Sequence, residues 1–248
     1  MPSENSPLLS LPAELRLEVY AHFFAPTTTT RTATTAILPP PLDKSPLALS
    51  LACRQLYDET HALAFAATTF HTRAWRLADL KELLVRVRPP YRPHITSLKV
   101  HAGVYDFLKH PQSLSGLRLA AAGLRGIREI YVHLEGEATQ AESREGLMIC
   151  NLELLIRKTI ASCDNDELQK IHVVHQGRIF WNGAPELYKK YRAQFSHPDP
   201  RLNPGNCEVD MLQGNQFRFV KKGKDSKIAN KVTVWMEAVT YPSQGKDA

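Results

Sequence analysis

Three stretches decide the fold: SLKVH at 97–101, EIYVH at 129–133 and KIHVV at 170–174. Laid over one another, they place Leu98, Ile130 and Ile171 at one position, and Val100, Val132 and Val173 two residues on. Side chains two apart share one face of a strand, so each stretch reads as a strand with an apolar side. The intervals carry helical spacing. The first runs through Leu114, Leu117, Ala121 and Leu124, the second through Met148, Leu152 and Leu155. Strand, helix, strand, helix, strand implies parallel strands joined by right-handed crossovers. Two versions of this α/β (α+β) body fit. One is an irregular leucine-rich-repeat-like sheet, although no unit carries the asparagine of the usual repeat. The other is an ordinary α/β layer.

The alternate positions are the candidate partner-recognition set. Lys99, Tyr131 and His172 align, and so do His101, His133 and Val174. On a curved repeat sheet this polar and aromatic row is a concave recognition surface. Tyrosine and histidine then give contact area with few rotors to freeze. Under a covering layer the same row is an internal hydrogen-bonded stratum, and both readings stand. His101 and His133 are expected to be near neighbours. No carboxylate or cysteine stands at matched spacing, so neither a metal nor a cofactor is expected. His172 and His175 are an odd number of residues apart and point to opposite faces.

Upstream, LLSLPAELRLEVYAHFF at 8–24 reads as a helix opened by Pro12, whose missing N–H has no partner to lose in a first turn. One stripe runs through Leu8, Leu11, Leu15, Val19 and Phe23, another through Leu17, Tyr20 and Phe24. Two stripes need two packing partners. The Leu17, Tyr20 and Phe24 side is expected to close on a second helix at 47–64. That helix should face inward through Leu49, Cys53, Leu56 and Leu63. Residues 26–46, rich in threonine and proline, read as a flexible loop. A strand is expected at 68–72 and a third helix at 75–87, stopped by Pro89 and Pro90.

These N-terminal residues resemble the fungal F-box-like families. Leu11, Pro12, Glu14, Leu15, Arg16 and Tyr20 match the first helix of that pattern. Cys53, Arg54, Gln55, Leu56, Tyr57 and Glu59 match the second. The resemblance covers about the first quarter of the chain, and residues 26–46 are longer than a compact F-box connection. It implies an F-box-like helical module over 1–66 that docks on a Skp1-type adaptor of a ubiquitin ligase. Leu8, Leu11, Pro12 and Leu15 would be the adaptor-binding set. Residues 67–248 would be the body that recruits a protein substrate. A fungal-type binding module without a ubiquitin-ligase role is the alternative.

The composition sets limits. A chain of 248 residues can bury a sizeable core. The formal charge of +6 is spread over both halves, which argues against a dedicated nucleic-acid surface and leaves weak binding as a further alternative. Cys53, Cys150, Cys163 and Cys207 form no C-x-x-C pair and are expected as buried thiols in a reducing compartment. The first residues lack a signal-peptide pattern, and no apolar run has spanning length, so a cytoplasmic or nuclear protein without a membrane partner is expected.

The remainder reads as structure rather than chemistry. RIFW at 178–181 suggests a short strand, 184–195 a helix, and 197–206 a loop. NQFRFV at 215–220 and NKVTVWMEAV at 230–239 alternate and suggest C-terminal antiparallel strands. The basic stretches RVRPPYRPH at 86–94 and KKGKDSK at 221–227 read as solvated surface. Asp164, Asp166 and Glu167 lack the glycine and distant glutamate of a calcium loop. No catalytic signature is present, and a non-enzymatic role is expected.

Overall fold

A computed structural model describes residues 6–24, 47–73, 84, 87–103, 119, 121–135, 155–156, 159–160, 167–176, 189, 207–212, 216–222 and 229–239. Within these residues the protein is a mixed α/β structure. Its helices are α1 (Ala13–Phe23), α2 (Leu47–Ser50) and α3 (Arg54–Ala67). Its strands are β1 (Thr69–Arg73), β2 (Ser97–Gly103), β3 (Glu129–Glu135), β4 (Lys170–Gln176), β5 (Cys207–Met211), β6 (Gln216–Lys222) and β7 (Ala229–Val239).

The seven strands form one sheet in the order β1-β2-β3-β4-β7-β6-β5. Strands β1, β2, β3, β4 and β7 are mutually parallel. Leu98 pairs with Ile130 and Ile130 with Ile171, the register that the sequence alignment implies. Leu98, Val100, Ile130, Val132, Ile171 and Val173 are all buried. The first four strands lie in chain order. The two C-terminal segments do pair antiparallel, β6 against β7 and β5 against β6. The expectation of C-terminal antiparallel strands is corrected for one side of β7, which pairs parallel with β4. Strand β7 belongs to the parallel block, because Val234 and Met236 continue the apolar rows of Ile171 and Val173.

The register also extends the rows at the other edge. Phe70 pairs with Leu98 and Thr72 with Val100, so β1 repeats the pattern one strand earlier. Its bounds lie one residue beyond the 68–72 expectation, since Thr68 caps α3 and its hydroxyl donates to the Ala64 carbonyl at 2.6 Å.

The helical module is built on a buried cluster of Tyr20, Phe24, Leu47, Leu56 and Ala64. The expected single helix at 47–64 is two helices. Cys53 is extended, with φ −159° and ψ 167°, and its carbonyl accepts the first bond of α3 from Tyr57 N–H at 2.9 Å. Ser50 and Thr60 hydroxyls, 3.0 Å apart and buried, tie the short helix to the long one. This break turns Cys53 outward, so its thiol is exposed rather than buried, and Leu63 is exposed as well. Leu17 is also exposed, so Tyr20 and Phe24 close the α1 contact without it.

Pro89 and Pro90 open a 3₁₀ helix, Pro89–His94. Proline suits that place because a first turn has no use for its N–H. Arg92 fastens the segment by donating to the carbonyls of Val87, Leu84 and Ala122 at 3.0, 3.2 and 3.4 Å. The chain near 119–124 is a turn in the described residues. Gly123 takes φ +83°, and Leu124 N–H donates to the Leu119 carbonyl at 2.9 Å, a closure of the Schellman kind. The expectations for 26–46 and for 178–181, most of 75–87, 184–195 and 197–206 and the loop of 221–227 fall outside the described residues, as do Leu114, Leu117, Met148 and Leu152. Among the described residues no helix is long and apolar enough to cross a membrane.

Candidate functional site

Parallel register places chemistry on the face opposite the apolar rows. One row reads His71, Lys99, Tyr131, His172 and Trp235 across five strands. The next holds His101, His133, Val174 and Glu237. The five residues singled out from sequence, Lys99, His101, Tyr131, His133 and His172, therefore do lie on adjacent strands of one face. They are not uniformly open to solvent. His101 is 5% exposed and His172 8%, whereas Lys99, Tyr131 and His133 are partly exposed.

The rings form two runs of contacts on this face. His71 stacks on His101 at 5.7 Å between centroids, and His101 tilts against His133 at 5.0 Å. On the other side Tyr131 meets His172 at 5.5 Å, and His172 stacks on Trp235 at 4.9 Å. Lys170 lies over both Tyr131 and Trp235, at 5.4 and 5.5 Å from their centroids. Such cation–π contacts are favoured where the cation sheds water.

Acidic groups edge this layer. Glu135 Oε1 accepts from His101 Nδ1 at 2.7 Å, and Glu129 Oε2 accepts the Tyr131 hydroxyl at 2.6 Å. Burial pushes the Tyr131 phenol up to about 12, and the Glu129 hydrogen bond acts in the same direction. His172 Nε2 stands 2.9 Å from Glu237 Oε2 but is not aligned as a hydrogen bond. Burial lowers the His172 pKa; Glu237 opposes this, and Lys170 and Lys99 add to it. Desolvation outweighs the carboxylate because Glu237 is itself exposed and well solvated. His133 is lowered first by burial and then by Lys99 and His101.

Sequence reasoning missed Glu129, Glu135 and Trp235. Glu129 and Glu135 lie at the ends of β3, two residues from Tyr131 and His133 and hence on their face. That spacing was legible. Trp235 was not, since its place in the row depends on β7 pairing with β4.

The α1 residues form a second candidate surface. Leu15, Val19 and Phe23 recur every four residues on one stripe and are 51%, 43% and 52% exposed. Pro12 is exposed, Leu11 partly so, and Leu8 packs partly buried against the helical cluster. The adjoining face of α1 is locked to α3. Arg16 donates to both oxygens of Glu59, at 3.0 and 2.8 Å, and the Tyr20 hydroxyl donates to the same carboxylate at 2.8 Å. The two halves of the family-like motif thus meet in one hydrogen-bonded cluster, with Gln55 adding a bond to Glu59 at 3.0 Å.

A shallow cleft of about 430 Å³ lies at the opposite ends of the strands, lined by Ala66, Thr96, Gly126, Arg128 and Glu167 among others. Its Arg128–Glu167 pair, at 3.3 Å, is more than half exposed on both sides and contributes little. No family model, no curated protein and no solved structure matches this chain.

Proposed function

We propose that this protein is a non-enzymatic interaction module that docks on a Skp1-type adaptor through α1 and receives a protein substrate on the polar face of its sheet. The observation that carries the reading is the stripe Leu15, Val19 and Phe23, exposed on a helix whose adjoining face is already anchored. A rigid apolar stripe rimmed by Glu14, Glu18 and His22 has the character of a partner surface. Leu8, Leu11 and Pro12 lead into it, as the family resemblance implies. The sequential parallel strands support a repeat-like body, and the His–Tyr–Trp layer supplies amphipathic contact area. Such a role places the protein in the cytosol or nucleus.

A second reading has its own support. The Arg16–Glu59–Tyr20 cluster accounts for the motif residues as internal structure, which suits a fungal-type binding module without a ubiquitin-ligase role.

The test is a pull-down with a purified Skp1-type adaptor beside a melting curve on the same protein. Leu15→Glu with Val19→Glu, and separately Leu11→Ala with Pro12→Ala, should abolish capture with only a small loss of melting temperature. A collapse of stability along with binding in both pairs assigns the stripe to the core. Absence of wild-type capture at micromolar adaptor removes the ligase role and leaves the second reading.

A further inference from the structure

We propose that His101, His133 and Glu135 bind a divalent transition-metal ion, zinc foremost, near the carboxyl ends of β2 and β3. One donor atom from each of these residues lies within 4.8 Å of the other two. Tetrahedral zinc at about 2.0–2.2 Å from nitrogen and oxygen ligands needs donors a little over 3 Å apart, so modest side-chain rotation closes the set. The strands supply the rigidity. His101 and His133 pair directly in register, and Glu135 follows His133 by two residues on the same face.

Several features favour an ion over a purely structural cluster. His101 is buried, and its Nδ1 already stands 2.7 Å from Glu135 Oε1, so an ion would enter between this nitrogen and this oxygen. The partly exposed His133 and Glu135 give an entry path. Carboxyl ends of parallel strands are also where open α/β sheets place ligands.

The donor set selects the ion. Two imidazoles and one carboxylate suit zinc and its first-row neighbours, whereas calcium and magnesium require oxygen ligands. Three protein ligands leave one tetrahedral position for water or a partner's side chain. Lys99, whose charge acts on His133 and feels that of Glu135, opposes the ion.

The test uses the full chain, stripped with a chelator and titrated with zinc chloride against a chromophoric competitor. One equivalent should bind with a dissociation constant of micromolar or tighter. His133→Ala and Glu135→Gln, at partly exposed positions, should each weaken binding by about tenfold or more. His22→Ala, an exposed histidine on α1, should leave it unchanged. X-ray absorption on the zinc-loaded wild type should count two imidazoles, a readout that needs no variant to fold. Absence of saturable binding, binding that survives both substitutions, or fewer than two imidazoles around the ion overturns the proposal.

Discussion

Arg16 and Glu59, 43 residues apart in the chain, meet through two hydrogen bonds of 3.0 and 2.8 Å and fasten α1 to α3. The guanidinium fork matches both carboxylate oxygens, a geometry that a lysine would not reproduce. Tyr20 joins from the next turn of α1 and is fully buried. Hydrogen bonds from Arg16, Gln55 and Tyr20 hold the Glu59 carboxyl well below its ordinary 4.5, at about 2.

The direction of its acid response follows. As pH falls, the unfolded chain takes up a proton at Glu59 near 4.5 while the folded protein resists to about 2. This contribution is complete above pH 4.5 and is lost between there and 2. Tyr20→Phe should destabilise the protein by about 1.5–3 kcal/mol, the usual worth of a hydrogen bond to a charged group. Glu59→Gln should also destabilise it and should flatten the acid limb of stability. Urea midpoints from pH 6 to 3 check both effects; an unchanged acid limb in Glu59→Gln would show that the pair contributes nothing.

Gly126→Ala should damage the approach to β3. A Cβ there runs into the carbonyl oxygen of Pro93, which is backbone and cannot step aside as a side chain could. The requirement is close approach rather than an unusual φ. The expected loss is about 1–3 kcal/mol, as for overpacking elsewhere, read as a lower urea midpoint at unchanged slope. Wild-type stability in Gly126→Ala would mean that the 3₁₀ segment shifts without cost.

His172 should make the sheet sensitive to mild acid. Its pKa lies below 6.5 because burial disfavours the imidazolium more than Glu237 favours it, while Lys170 and Lys99 oppose the charge from either side. The unfolded chain therefore binds this proton first. Stability contributed by the neutral ring is complete above pH 6.5 and falls as pH drops through the lower folded pKa. A single proton limits the slope to about 1.4 kcal/mol per pH unit. Comparing His172→Gln with wild type at pH 7.5 and 5.5 isolates it. Trp235 fluorescence is a convenient probe, since the two rings stack at 4.9 Å. Equal loss in both proteins would assign the acid response elsewhere.

The central rows were legible because strand alternation is local. Leu98, Val100, Ile130, Val132, Ile171 and Val173 announce their face through spacing alone, and Lys99, Tyr131 and His172 must then take the other. The same rule applied to β3 places Glu129 and Glu135 beside Tyr131 and His133. The break at Cys53 was harder to see. No proline or glycine marks it, and the Ser50–Thr60 contact that accompanies it joins two helices.

By itself the sequence determined which residues share a face, that the three central strands run parallel, and that α1 carries more apolar surface than one packing side uses. Those properties depend on the period of the backbone, which neighbouring residues set. Only the tertiary structure decided that β7 lies beside β4, bringing Trp235 onto His172, and that Glu59 gathers Arg16 and Tyr20. It also decided that His101 is buried against Glu135. Pairing across distant segments depends on how completely apolar rows are covered and how buried polar groups find partners, and neither quantity exists until the chain has closed on itself.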